Sequence, residues 1–511
     1  MKNIVNIINF ARAVEPREKD DSYLFPTLEN ELALCREFGF KNTVLLQYDA
    51  LILPEYASLC REYSDLSEVG LWLEIVEPLV LDSGLSWRGR FPWDWHNDVG
   101  FTVGYTPDER KKLIDTAFLK LKEIFGAFPE CVGSWHIDAF SLSYMSEKYG
   151  IKASCNCRDQ YGTDGYTIWG GYYNGAYYPS KKNMLCPANT KENQIDAPVF
   201  RMLGSDPVYQ YDCGLGKPEE KQGVCTLEPV YGAAGGCREW VEWYFKENFN
   251  GKGLSVSYTQ VGQENSFGWK KIGKALRMQF EVLNSRLKEN KVELLTLSEA
   301  GGYFKKSYEM TPPGAICTDS AFPDTEFKTA WYYSKHYRVN IIYENGRAWL
   351  RDMQLFDENY PEPFLNMRDS SPDCGYYNLP VTDGFRFSKN GIRAGIYIKN
   401  DFAPLAFGEF KTETPDDKTL KAFLSGCAEF TADERSFKTV FSDDASYFEF
   451  AFADMPYLPY VKAEGKTLYM SFGGFDGKKY PYTVRLASGS FSFENGVLKI
   501  IPENRTVEFV F

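Results

Sequence analysis

From residue 4 to residue 297 the chain repeats one pattern: a short apolar, β-branched run, a polar loop, then an amphipathic helical stretch. The apolar runs lie at residues 4–10, 42–48, 69–76, 131–141, 151–158, 198–203, 254–260 and 292–297. Helical periodicity falls at 27–38, 54–63, 140–149, 235–248 and 270–287, and a further helix opens at Thr106-Pro107-Asp108-Glu109 with a capping box and runs to Phe125. Runs without polar alternation are buried on both faces, as strands of parallel sheets are, and parallel strands need crossover helices. Seven or eight such units predict an α/β fold, a (β/α)7-8 barrel of the TIM-like kind over residues 1–310.

After Pro312-Pro313-Gly314 the grammar changes. Short alternating runs are separated by turn signals such as Glu344-Asn345-Gly346 and Glu494-Asn495-Gly496, which predicts an antiparallel β-sandwich domain over residues 311–511. A chain of 511 residues accommodates two such units. Its net charge of −13 repels phosphate backbones and anionic membrane surfaces, so neither nucleic acid nor membrane is an expected partner. The first sixteen residues lack a secretory apolar core, and the twelve cysteines are scattered, which reads as reduced thiols in a cytoplasmic protein. Cys155 and Cys157 form the one close pair, and with only three histidines, at 96, 136 and 336, a zinc site is not expected. A homo-oligomeric state is left open.

Function is expected where barrel strands end, because loops at the C-terminal rim build barrel active sites. The segment CVGSWHIDAFS (131–141) packs an indole, an imidazole and a carboxylate into four residues. If it continues as a strand, His136 and Asp138 share one face, although Asp138 is equally placed to N-cap the helix that follows. Further acids at strand ends are Glu15, Asp49, Glu74, Asp206 and Glu264. The long loops at 78–105 and 159–179, rich in Trp, Tyr and Gly, are expected to meet over the barrel mouth.

Two of these segments resemble motifs of the polysaccharide deacetylase superfamily of incomplete α/β barrels, which includes glycoside hydrolase families 57 and 38. GSWHID (133–138) is similar to the family 57 motif Gly-Phe-Trp-x-Pro-Glu, and GQENSFGW (262–269) to Asp-Gly-Glu-Asn-x-x-x-Trp. The resemblance implies a nucleophile at Asp138 and a general acid/base at position 262. Here that position is Gly262, which leaves Glu264 as the nearest substitute and Glu74, in an apolar strand, as the reserve. The deacetylase branch holds a metal with an Asp and two His. This chain has NFARAVEP and LWLEIVEP at the corresponding strand ends, so no metal and no other cofactor is expected.

The expectation is therefore a metal-independent glycoside hydrolase acting through a pair of carboxylates, with Asp138, Glu264 and Glu74 as catalytic candidates. His136, Trp135, Trp95, His96, Asp49, Trp169, Asp206 and Trp269 are the expected carbohydrate-binding residues. The alternatives are an atypical carbohydrate deacetylase and a carbohydrate-binding protein that has lost activity.

Overall fold

The computed structural model describes residues 2–212, 225–289, 291–389, 391–402, 408–452 and 460–511. Eight strands form a nearly closed barrel-like sheet: β1 (Lys2–Ala11), β2 (Asn42–Leu46), β3 (Ser67–Trp72), β4 (Cys131–Gly133), β5 (Ala153–Cys157), β6 (Ala176–Tyr177), β7 (Val199–Met202) and β8 (Val256–Val261). Their order is β8-β1-β2-β3-β4-β5-β7-β6. All pairings are parallel except that of β6 with β7. The short strand Glu293–Leu294 adds to β1 from the side. Between β7 and β8 the seam is held by polar side chains: the buried Arg158 guanidinium donates to the carbonyls of Ser205 and Tyr258, and the Leu203 amide donates to Gln260 Oε1. The barrel strands are apolar and β-branched because both faces are covered, inward by their own side chains and outward by helices such as Leu24–Phe38, Pro107–Phe125 and Trp269–Lys288.

The helix Pro107–Phe125 starts as its sequence dictates. Thr106 and Glu109 form a reciprocal capping box, Pro107 occupies the first turn, and Gly126 closes the end in the left-handed conformation.

From Gly314 onward the strands other than Cys374–Tyr377 are antiparallel and form two large sheets whose inward side chains share one apolar core. Ile341, Leu350 and Phe448 come from one sheet, and Phe430, Phe437 and Phe509 from the other. Both turn signals are two-residue hairpin loops with positive φ at each central residue, 50° and 81° at Asn345-Gly346 and 52° and 79° at Asn495-Gly496. This half does not keep to itself. Residues 356–388 return to the barrel, where the strand Cys374–Tyr377 pairs in parallel with Tyr166–Trp169 of the 159–179 loop. Among the described residues no helix is long and apolar enough to cross a membrane.

Candidate functional site

A cavity of about 370 Å³ opens at the C-terminal ends of the barrel strands. Its walls come from the segments after β1 (Arg12, Glu15, Arg17), β4 (Trp135), β5 (Gln160, Asp164, Tyr166), β7 (Leu203, Glu228, Tyr231) and β8 (Glu264, Ser266, Phe267).

Arg12, the first residue beyond β1, organises the floor. Its guanidinium is buried, stacks 4.0 Å over the Trp93 ring, and donates to Glu15 (3.2 Å), Glu74 (3.2 Å) and Glu264 (2.9 Å). Burial opposes that charge, but the surrounding carboxylates outweigh it and raise the Arg12 pKa. Their own environments differ. Burial would lift the Glu15 carboxyl, yet Arg17 and Arg12 hold it below its ordinary value. Glu74 is sealed; burial dominates and pushes its pKa to about 7, despite Arg12 and the Trp72 indole, which donates at 2.8 Å. Glu264 faces the cavity, and burial raises it against the pull of Arg12. In the same cavity, Glu228 accepts from the Thr226 hydroxyl (2.9 Å) and Gln263 (3.2 Å), and burial pushes it to about 7.

Among the carboxyls lining the cavity, Glu15, Asp164 and Glu264 are bonded to arginines, whereas the bonds of Glu228 come from neutral groups. That inequality can separate a proton acceptor from a proton donor at neutral pH.

Of the residues expected from sequence, Glu264 and Trp135 line this cavity, and Glu74 is tied to it through Arg12. Asp138 is elsewhere. β4 ends at Gly133, so the strand alternation that would direct Asp138 and His136 together does not reach them. Asp138 is fully buried and N-caps the helix Ala139–Tyr149, accepting from the Ser141 amide (3.0 Å) and hydroxyl (2.7 Å), from Thr102, and from the Arg110 guanidinium (2.9 Å). These four donors hold the carboxyl below its usual range against burial.

His136 is sealed, stacked 4.3 Å from Phe101 and flanked by Tyr166 and Tyr376; burial drives its pKa down to about 3. Asp49 accepts from the Ala13 and Ala50 amides and so fixes the start of the loop that carries Glu15. Trp169 donates to Asp383 inside the fold, and Asp206 caps the turn at Val208 and Tyr209. Trp269 opens the helix after β8 and packs against the outer core, while His96 precedes the short helix Asn97–Gly100. None of these six lines the cavity. Trp95 stands behind it, 5.5 Å from the Arg17 guanidinium. The two long loops do meet: a Cβ on Gly165 would fall 2.6 Å from the Asn97 amide nitrogen and 2.7 Å from the Trp95 carbonyl.

Sequence reasoning missed Arg12 and Glu228. Arg12 had a visible signal, a cation placed directly after a buried apolar strand. Glu228 lies outside every strand or helix pattern read from the sequence, and had none.

At Gly262 the chain runs at φ +104°, and a Cβ would lie 2.3 Å from the Ile8 carbonyl. An acid cannot occupy that position while β1 keeps its place. Nor do the residues fit the metal of the deacetylase branch. The strand-end acids converge on the Arg12 guanidinium, and among the described residues no group of three or more His, Cys, Asp and Glu could hold a metal ion.

Residues 95–312 match the family described as "Domain of Unknown Function with solved-structure structure (DUF3863)". No curated protein sequence matches the chain. A Parabacteroides distasonis crystal structure, provisionally named a glycoside hydrolase/deacetylase, aligns over 74% of this chain and 90% of its own at 14% identity, with a TM-score of 0.55. A Mycobacterium smegmatis structure provisionally named a polysaccharide deacetylase aligns over 60% and 91% at 13% identity with a TM-score of 0.37. The chain thus shares, at low sequence identity, the fold of the Parabacteroides distasonis protein.

Proposed function

We propose that the protein is a carbohydrate-processing hydrolase, and more narrowly a glycoside hydrolase that cleaves its substrate with the carboxyls of Glu228 and Glu264. The observation that carries this reading is their unequal environment in one cavity: Glu228 bonded to the neutral Thr226 and Gln263 side chains and raised by burial to about 7, Glu264 ion-paired to Arg12. Glu228 delivers its proton to the glycosidic oxygen as the bond from that oxygen to the anomeric carbon breaks. The Glu264 carboxylate either attacks the anomeric carbon or takes a proton from the water that does, and the anomer of the first-formed product distinguishes the two. Trp135 and Tyr231 on the walls offer flat apolar faces to a sugar ring. Asp138, preferred from sequence, has no part in this scheme.

The test is turnover of a panel of aryl and oligosaccharide glycosides, with acetylated sugars in parallel. Release of reducing sugar by the wild type, and its loss by ~10²–10⁴-fold in Glu264→Gln and Glu228→Gln, is expected. Release of acetate with no glycosidic cleavage would replace this reading with the deacetylase one.

A further inference from the structure

A second crevice of about 370 Å³ lies away from the barrel mouth, where residues 360–367 face the hairpin turn at 474–480. Phe364, Asn366, Met367, Phe475, Lys478 and Tyr480 are among the residues that line it. We infer that this crevice is a second carbohydrate-binding site, taking a sugar segment of a longer chain against Phe475 and Phe364. The choice of a saccharide as occupant rests on the carbohydrate reading of the barrel. The built character of the site does not.

Three observations support it. The first is backbone strain held in place from beneath. Phe364 has φ +60°, a left-handed conformation that bulky residues rarely adopt, and its carbonyl accepts from Arg110 at 2.9 Å. Arg110 also takes the Met367 carbonyl at 2.7 Å, while its remaining bonds include Asp138 at 2.9 Å. With these carbonyls turned inward onto a buried cation, the stretch is fixed before any ligand arrives.

The second is the anchoring of its base. Glu362, buried at the bottom, accepts the Ala139 amide on one oxygen and the Met184 amide on the other, both at 2.8 Å. Glu362 thus ties the wall to the helix that Asp138 caps. The third is the lining itself. The Phe364 and Phe475 rings stand at 67° with centroids 6.3 Å apart, and Tyr360 and Tyr480 form a second corner at 59° and 5.0 Å. Asn366, Asp476 and Lys478 ring these faces with donors and acceptors. Aromatic faces bordered by hydrogen-bonding groups match the apolar face and the equatorial hydroxyls of a sugar ring. The pair of Asp476 with Lys478 at 3.0 Å is exposed and weak, so the aromatic faces rather than charge select the occupant, which favours a neutral sugar.

Native gel electrophoresis through gels containing a neutral glucan, an arabinoxylan, a galactomannan or polygalacturonate tests the site. Retardation of the wild type by a neutral polysaccharide is expected, weakened at least fivefold in apparent affinity by Phe475→Ala and by the surface change Asn366→Ala. Turnover of small glycosides should be unchanged in both variants, and Glu264→Gln should still be retarded. Absence of retardation in every neutral gel, or retardation that survives both variants, overturns the inference. A protein inactive on every glycoside yet retarded through Phe475 would retire the catalytic reading and keep this one.

Discussion

Glu228 and Glu264 enter the same cavity from consecutive barrel segments, and what separates them chemically is a single guanidinium. Burial raises both, but Arg12 reaches only Glu264. For Glu228 the sign of the consequence is fixed. Its folded pKa, about 7, lies above its ordinary 4.5, so between these values the folded protein holds a proton that the unfolded chain has released. Stability contributed by that proton is present below pH 4.5 and is lost as pH rises through 7. The same proton serves the leaving group, so kcat/KM on a glycoside with a poor leaving group should fall above pH of about 7. Glu228→Gln should remove that limb together with most of the activity, and its residual rate should be flat across the range. A wild-type profile level to pH 9, an arbitrary upper limit roughly two units above the pKa that burial gives Glu228, would assign the proton donor elsewhere. At this scale the sequence was half legible. Glu264 stood two positions from a recognisable motif position, whereas Glu228 meets it only through folding of a connection whose acids carry no periodic mark.

Element boundaries explain the largest misreading. The segment 131–141 reads as one strand because its residues are apolar and alternate, yet only Cys131–Gly133 pair with β3 and β5. Asp138 then takes φ −63° and ψ 154°, the geometry of an N-cap, and the acid is consumed by the helix it starts. Ser141, three residues on, supplies the capping amide. Helices were read well where caps were explicit, as at Thr106 and Glu109, since those signals are local. Asp138→Asn should accordingly act on stability. It removes the charge that compensates Arg110 in a fully buried pair, a change that costs about 3–5 kcal/mol when one partner is lost. Urea unfolding should show a lower midpoint with an unchanged slope, and the folded fraction should keep near-normal turnover. A folded Asp138→Asn protein with activity down by orders of magnitude would return Asp138 to the chemistry.

For the molecule as a whole, the two halves are joined by polar contacts that no local pattern announces. Arg338, on the strand Tyr337–Glu344 of the antiparallel half, is fully buried. It donates to Asp352 on the neighbouring strand (2.8 Å), to Asp159 at the end of β5 (2.7 Å), and to the Tyr211 hydroxyl. Arg201 of β7 completes the set by donating to the other oxygen of Asp159 at 3.1 Å. Asp159 and Arg338 are 179 positions apart, so composition and periodicity carry no trace of their meeting. The expected barrel and antiparallel half were legible because each is built from short-range pattern; their junction was not, because it is built from single side chains.

The junction has a consequence for the cavity, since Gln160, Asp164 and Tyr166 on its wall follow directly from Asp159. Arg338→Met keeps much of the side-chain volume but strands Asp352 and half of Asp159 without a cation. Loss of one partner from such a buried set predicts destabilisation of about 3–5 kcal/mol. Adding Asp352→Asn should recover part of that loss, because it removes a charge left unpaired. Both are measured by urea unfolding followed through tryptophan fluorescence, with Trp169 and Trp331 reporting from beside the network. If Arg338→Met unfolds at the wild-type midpoint, the halves are held by their apolar contacts alone and the network only fits between them. If instead the midpoint falls and Asp352→Asn restores it in part, the 159–179 wall of the cavity depends on a charge supplied from the other half of the chain.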